Sequence, residues 1–144
     1  MEAEVTVVIL FDRFNLPDDI FEVIFATKQQ TIVGRALINF MKENTGEITK
    51  TEMSLFATKL HDGQYETQLD MPEFSGKTVK LSYNKRQFYD RILTPFKSMG
   101  IIDYDLYKKT YKITDMFQKE MLRIGLLWGQ ELKKPAFSTK VKKK

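Results

Sequence analysis

Apolar positions along the chain change their spacing several times, and each change marks an element. Residues 4 to 11 are β-branched and apolar with no polar alternation, the pattern of a strand buried on both faces or covered by a partner chain. After Asn15-Leu16-Pro17-Asp18, the residues Ile20, Phe21, Ile24 and Phe25 fall at helical spacing. Pro17 or Asp18 is well placed to start a short helix there. From Gln29 to Asn44, Ile32, Val33, Ala36, Leu37, Phe40 and Met41 line one helical face, and Asn44-Thr45-Gly46 ends it. Thr49-Lys50-Thr51-Glu52 reads as a capping box in front of Met53, Phe56, Ala57 and Leu60, which predicts a second, shorter core helix.

The second half of the chain repeats this logic. Asn84-Lys85-Arg86-Gln87 is another capping-box pattern, followed by Phe88, Ile92, Phe96 and Met99 on one face until Gly100. Pro95 lies inside that third helix and should kink it or restart it after Thr94, because it lacks a donor and its ring crowds the preceding turn. Residues 101–105 and 110–114 read as two short strands around a turn that carries Lys108 and Lys109. Thr114-Asp115 then caps a long helix in which Met116, Phe117, Met121, Ile124, Leu127, Trp128 and Leu132 keep helical spacing before Pro135. No internal repeat is present. The organisation expected is an N-terminal strand and short helix over 1–28, one domain over 29–134 with a long insertion at 62–82, and a disordered tail over 135–144.

Composition narrows the class. A chain of 144 residues, 42% hydrophobic, supports one core and is short for two. Its 23 Lys+Arg against 19 Asp+Glu leave a net charge of +4, and the pI is near 9.2, so an anionic partner is compatible with the charge. The distribution is uneven, with an acidic start (Glu2, Glu4, Asp12, Asp18, Asp19 and Glu22) and a polycationic end (Lys133, Lys134, Lys140, Lys142, Lys143 and Lys144). The tail suits either an electrostatic contact to nucleic acid or solubility. No cysteine is present, which excludes disulfides and thiolate chemistry and fits a reducing interior. Val5 to Phe11 is too short to span a membrane and follows acidic residues, unlike a signal peptide. These features lead to the expectation of an intracellular protein that does not enter a membrane.

The order of helix, short strand at Glu47-Ile48-Thr49, helix, helix, hairpin and helix resembles the winged helix-turn-helix DNA-binding family of prokaryotic and archaeal transcriptional regulators. The resemblance is carried by Arg86-Gln87-Phe88-Tyr89-Asp90-Arg91-Ile92-Leu93, by the step Ser98-Met99-Gly100-Ile101-Ile102, and by the return Thr110-Tyr111-Lys112-Ile113-Thr114. It covers about two-thirds of the chain. It implies a mainly α fold with a small β-hairpin wing (α+β), an N-terminal extension and a long C-terminal helix, with the third helix in a major groove and the hairpin on the backbone or minor groove. The segment 62–82 departs from the family, which usually has a tight turn there.

On that resemblance the DNA-binding residues are Asn84, Lys85, Arg86, Gln87 and Arg91 on the helix and Lys108, Lys109 and Lys112 on the wing. Arg86 suits a bidentate contact to guanine, Gln87 one to adenine, and Lys85 a phosphate. From Asn84 to Thr114 seven basic residues face three acidic ones, although a solvated helix face and a soluble hairpin would look alike at this level. Met121, Ile124, Leu127 and Trp128 exceed what a small core needs and suit a homodimer contact; folding back onto Ile20, Phe21, Ile24 and Phe25 is the alternative. The functional expectation is sequence-specific binding of double-stranded DNA by a dimeric regulator, cytoplasmic and nucleoid-associated. The rivals are a replication-initiation or partition protein of a plasmid or virus, and a winged helix turned to protein interaction through 62–82 or the C-terminal helix.

Catalysis is not expected, nor any cofactor or metal. There is one histidine, no phosphate-binding glycine loop and no Gly-x-Ser-x-Gly elbow. Asp18/Asp19 and Asp103/Asp105 have structural explanations as a helix start and a strand face. His61 has no second ligand at metal spacing and reads as a cap or loop residue.

Overall fold

Helix capping sets most of the element boundaries in the computed structural model, which describes residues 9–68 and 76–138. Helix α1 (Ile20–Ile24) starts at Asp19, whose carboxylate accepts from the Phe21 N–H, one residue after Asp18 and two after Pro17, the two starts expected. Helix α2 (Lys28–Glu43) is capped by the Thr27 hydroxyl, which accepts from Gln30 at 3.1 Å. It ends where Gly46, at φ +84, returns its N–H to the Met41 carbonyl, a left-handed exit that a glycine adopts without a Cβ clash.

Strand β1 (Glu47–Thr49) leads into α3 (Lys50–His61), and the capping box is complete. Glu52 N–H donates to the Thr49 hydroxyl at 3.0 Å, and Thr49 N–H donates to the Glu52 carboxylate at 2.8 Å.

The insertion expected at 62–82 contains two strands among its described residues. Strands β2 (Tyr65–Gln68) and β3 (Thr78–Leu81) pair antiparallel, Tyr65 opposite Leu81 and Gln68 opposite Thr78. Tyr65, Thr67, Val79 and Leu81 point inward in alternation with exposed Glu66, Gln68, Thr78 and Lys80, the period of a half-buried strand.

Helix α4 (Lys85–Phe88) continues through a π turn (Tyr89–Leu93) into α5 (Thr94–Ser98). The restart expected from Pro95 takes this form. The Thr94 N–H bonds back to Tyr89, five residues earlier, and its hydroxyl donates to the same carbonyl at 2.8 Å. A wider turn of this kind satisfies a helix whose next residue, a proline, can neither donate nor tolerate the ordinary approach of the preceding carbonyl. Gly100, at φ +79, closes the segment.

Strands β4 (Ile102–Asp105) and β5 (Thr110–Ile113) form the expected hairpin, and β1 adds to β5, giving a three-stranded antiparallel sheet in the order β1-β5-β4. The core lies between this sheet and α2, α3 and the α4–α5 segment, with Leu37, Met41, Ile48, Met53, Phe56, Leu60, Phe88, Ile92, Phe96 and Ile102 fully enclosed. Its aromatic rings interlock: Phe56 contacts Phe40, Tyr65 and Phe88, and Phe96 takes the edges of Phe21 and Phe25. Helix α1 is held against α2 by the Arg35–Asp19 ion pair and by Arg35 stacking 4.9 Å over Phe21.

Helix α6 (Met116–Lys133) follows. Its Asp115 cap is not formed. Thr114 takes the role, accepting from Met116 N–H while donating to the Gly100 carbonyl at 2.7 Å, and Asp115 pairs with Lys119 instead. No residue of α6 is buried. Phe117 and Gln118 line a groove with Ile20, Phe21 and Ile24, but Met121, Ile124, Leu127 and Trp128 beyond them are exposed, so the helix does not fold back along Ile20, Phe21, Ile24 and Phe25. Ile9, Leu10 and Phe11, the end of the expected N-terminal strand, are exposed and in no strand. The rest of that strand, residues 69–75 of the insertion, and the lysine-rich end from Thr139 lie outside the described residues. The fold is thus mixed α and β with a small antiparallel sheet and a C-terminal helix.

Candidate nucleic-acid interface

Two contacts bring α3 and α4 together across the β2–β3 hairpin. Tyr83 N–H donates to the Leu60 carbonyl at 2.9 Å and Lys85 N–H donates to His61 Nδ1 at 3.1 Å, while Gln64 N–H donates to the Lys59 carbonyl at 2.8 Å and closes the end of α3. His61 is therefore a cap, satisfying a first-turn donor of α4 that has no intrahelical acceptor. The hairpin is an excursion closed at its base, and α3 passes to α4 as it would through a short turn.

The expected helix residues divide by role. Asn84 accepts from Gln87 N–H at 3.0 Å and is committed to capping. Lys85 turns back, its ammonium donating to the Thr58 hydroxyl at 3.0 Å in a half-buried contact, so it ties α4 to α3. Arg86, Gln87 and Arg91 point outward with Asp90, opposite the buried Phe88, Ile92 and Leu93. Arg86 is 91% exposed and lies 3.9 Å from Asp90 one turn on, a pairing worth little in water.

At the β4–β5 turn the Asp105 carboxylate accepts from the N–H groups of Tyr107 and Lys108 at 2.9 and 3.0 Å. These donors hold its carboxyl below the usual carboxylate range. Lys109 sits at φ +56, donating through its N–H to the Asp105 carbonyl at 2.7 Å. The turn is thus fixed, and it presents Leu106 and Tyr107, the latter 98% exposed, beside exposed Lys108 and Lys109. Lys112 stands differently. It lies on the outer sheet face between its register partners Glu47 and Asp103, which lowers the positive potential it can offer.

Two residues of this surface escaped the sequence reading. Lys50, the first residue of α3, donates its N–H to the Lys109 carbonyl at 2.9 Å, so its exposed side chain joins the turn lysines from 59 positions away. Tyr107, in the same turn, carries no sequence signal that separates it from an ordinary turn residue. Strand pairing of Thr49 with Thr110 produces the first juxtaposition, and only an alternation argument linking β1 to β5 would have suggested it.

Met121, Ile124, Leu127 and Trp128 are all on α6 and all exposed. At the root of α6 an apolar groove of about 430 Å³ lies between α1, α5, the sheet and the first helical turn, lined by Ile20, Phe21, Ile24, Ile101, Ile113 and Phe117 among others. Among the described residues no cluster of His, Cys, Asp and Glu could hold a metal ion, and no helix is long and apolar enough to cross a membrane. Two tyrosines have raised pKa values: Tyr65, pushed up to about 12 by burial and then by Glu43, and Tyr111, raised by burial and then by Tyr89 and Tyr104. Tyr111 belongs to the buried core and Tyr65 is partly buried against it.

No protein-family model matches the chain, and searches of curated proteins and of solved structures also return no match.

Proposed function

We propose that this protein binds double-stranded DNA as a winged helix-turn-helix and acts as a dimeric transcriptional regulator at the nucleoid. The observation that carries the reading is the closure of the β2–β3 hairpin by Tyr83–Leu60 and Lys85–His61. It joins α3 to α4 as a helix-turn-helix would, directly before a hairpin with an exposed basic turn. In this reading the α4–α5 segment enters the major groove and reads bases with Arg86 and Gln87. Arg91, Lys50, Lys108 and Lys109 neutralise phosphates. Lys85 and Asn84 position the helix and leave DNA contact to their neighbours, and Lys112 contributes less than the two turn lysines.

The test is anisotropy of a labelled random-sequence duplex between about 50 and 200 mM salt. About five phosphate contacts per protomer, about ten for the dimer, should lower affinity roughly 10⁵-fold across that range. Once a preferred site is selected, Arg86→Ala should cost roughly 1–3 kcal/mol there and relax one base position. Lys109→Gln should instead weaken all duplexes alike and reduce the salt slope by about one. Absence of binding at the low-salt end would refute the proposal.

A further inference from the structure

Helix α6 leaves its own domain after one turn, yet Leu122, Leu126, Trp128 and Leu132 are each more than 60% exposed. A helix of 18 residues is marginal in water without tertiary packing, and this one carries far more apolar surface than its root contact covers. Phe117, Met121, Ile124, Trp128 and Leu132, spaced by three or four residues, form one ridge along it. Beside that ridge lies Gly125, around whose absent Cβ there is nothing within 4 Å. A mid-helix glycine lowers helix stability, and no neighbour among the described residues requires it.

The ridge repeats itself when read backwards. About the midpoint of Ile124 and Gly125, Phe117 is answered by Leu132, Met121 by Trp128, and Ile124 by Gly125. A surface of that kind is complementary to a reversed copy of itself, as a two-fold interface requires. A helix pair about 27 Å long falls short of the roughly 800 Å² per partner of a stable interface. The apolar groove beside Phe117 supplies the remaining surface, and an antiparallel arrangement is the one that delivers the far end of a second helix to it.

We infer that α6 pairs antiparallel with α6 of a second copy, Ile124 of each packing over Gly125 of the other, and Trp128 and Leu132 reaching the groove between α1, α5 and the sheet of the partner. This deepens the dimeric part of the proposed function and rests on it, while standing apart from DNA binding.

The experiment is sedimentation of the full chain without DNA, from about 1 to 100 µM, with fluorescence of Trp128, the one tryptophan. The expected result is a species of twice 16.9 kDa with a blue-shifted Trp128. Gly125→Leu, at an exposed site that leaves folding unaffected, should weaken association at least about tenfold. Because the chain has no cysteine, orientation is read by oxidising single-cysteine variants. A mixture of Met121→Cys and Trp128→Cys should cross-link faster than either alone. A monomer at every concentration, or Gly125→Leu associating as tightly as the parent, overturns the pairing. Faster cross-linking of Met121→Cys alone overturns the antiparallel orientation. DNA binding takes no part in these readouts, so loss of that activity would leave the pairing standing.

Discussion

Gly34 lies in the middle of α2, where most residues would strengthen a helix, and Gly34→Ala should weaken this protein instead. A Cβ at position 34 would overlap the Phe25 ring, coming within 2.9 Å of Cζ, and would stand 3.2 Å from Cζ of Phe96. The ring has little room to retreat. Phe25 is 7% exposed and its edge is already against Phe96 at a centroid distance of 5.3 Å. Helix propensity favours alanine by about 1 kcal/mol, whereas overpacking a filled core costs about 1–3 kcal/mol. The balance is a net loss of up to about 2 kcal/mol, or up to roughly 8 °C in Tm, and the overlap with the Phe25 ring puts it toward the upper end. Urea denaturation followed by circular dichroism measures it directly. Gly129→Ala, where nothing lies within 4 Å and which is outside the apolar ridge of α6, is the control and should not destabilise. Combining Gly34→Ala with Phe25→Leu should restore part of the loss, with a coupling of about 1 kcal/mol. A Gly34→Ala protein as stable as the parent, with no coupling to Phe25, would refute the close-approach account.

Two further expectations concern the site and the core. Lys85→Ala, which removes the bond to Thr58, should cost about 0.5–1.5 kcal/mol of stability, whereas Arg86→Ala should stay within about 0.5 kcal/mol; the same urea titration compares them, and equal losses would contradict the division between positioning and contact residues. Tyr65 predicts an alkaline limit. Its folded pKa of about 12 lies above the ordinary 10, so its contribution is fully present below about pH 10 and is lost as pH rises toward 12. Tyr65→Phe should flatten the fall in stability across that window, and an unchanged pH profile would show that other groups cause it.

The local elements were readable because their causes are local. The Thr49–Glu52 capping box, the Asn84 cap and the left-handed exits at Gly46 and Gly100 each involve residues within one turn of chain. The periodic faces of α2, α3 and the α4–α5 segment likewise identified Leu37, Met41, Phe56, Phe88 and Phe96 as core. Pro95 announced a disturbance but not its form. Whether a proline breaks, kinks or widens a helix depends on what the flanking residues are packed against, and here Phe88, Ile92 and Phe96 are buried on both sides of it.

What the sequence by itself determined is therefore the identity and order of the helices, the β4–β5 hairpin and the apolar character of α6, since capping, periodicity and turn chemistry act over a few residues. Only the tertiary structure decided that β2 and β3 pair within 62–82 and are closed at their base, that Lys85 is drawn back to Thr58, and that Lys50 joins the turn lysines. The same holds for α6, which stands clear of its own core. Each depends on contacts between residues ten to some sixty positions apart, or on their absence, and such contacts are set by how whole faces fit together rather than by the preferences of any one segment.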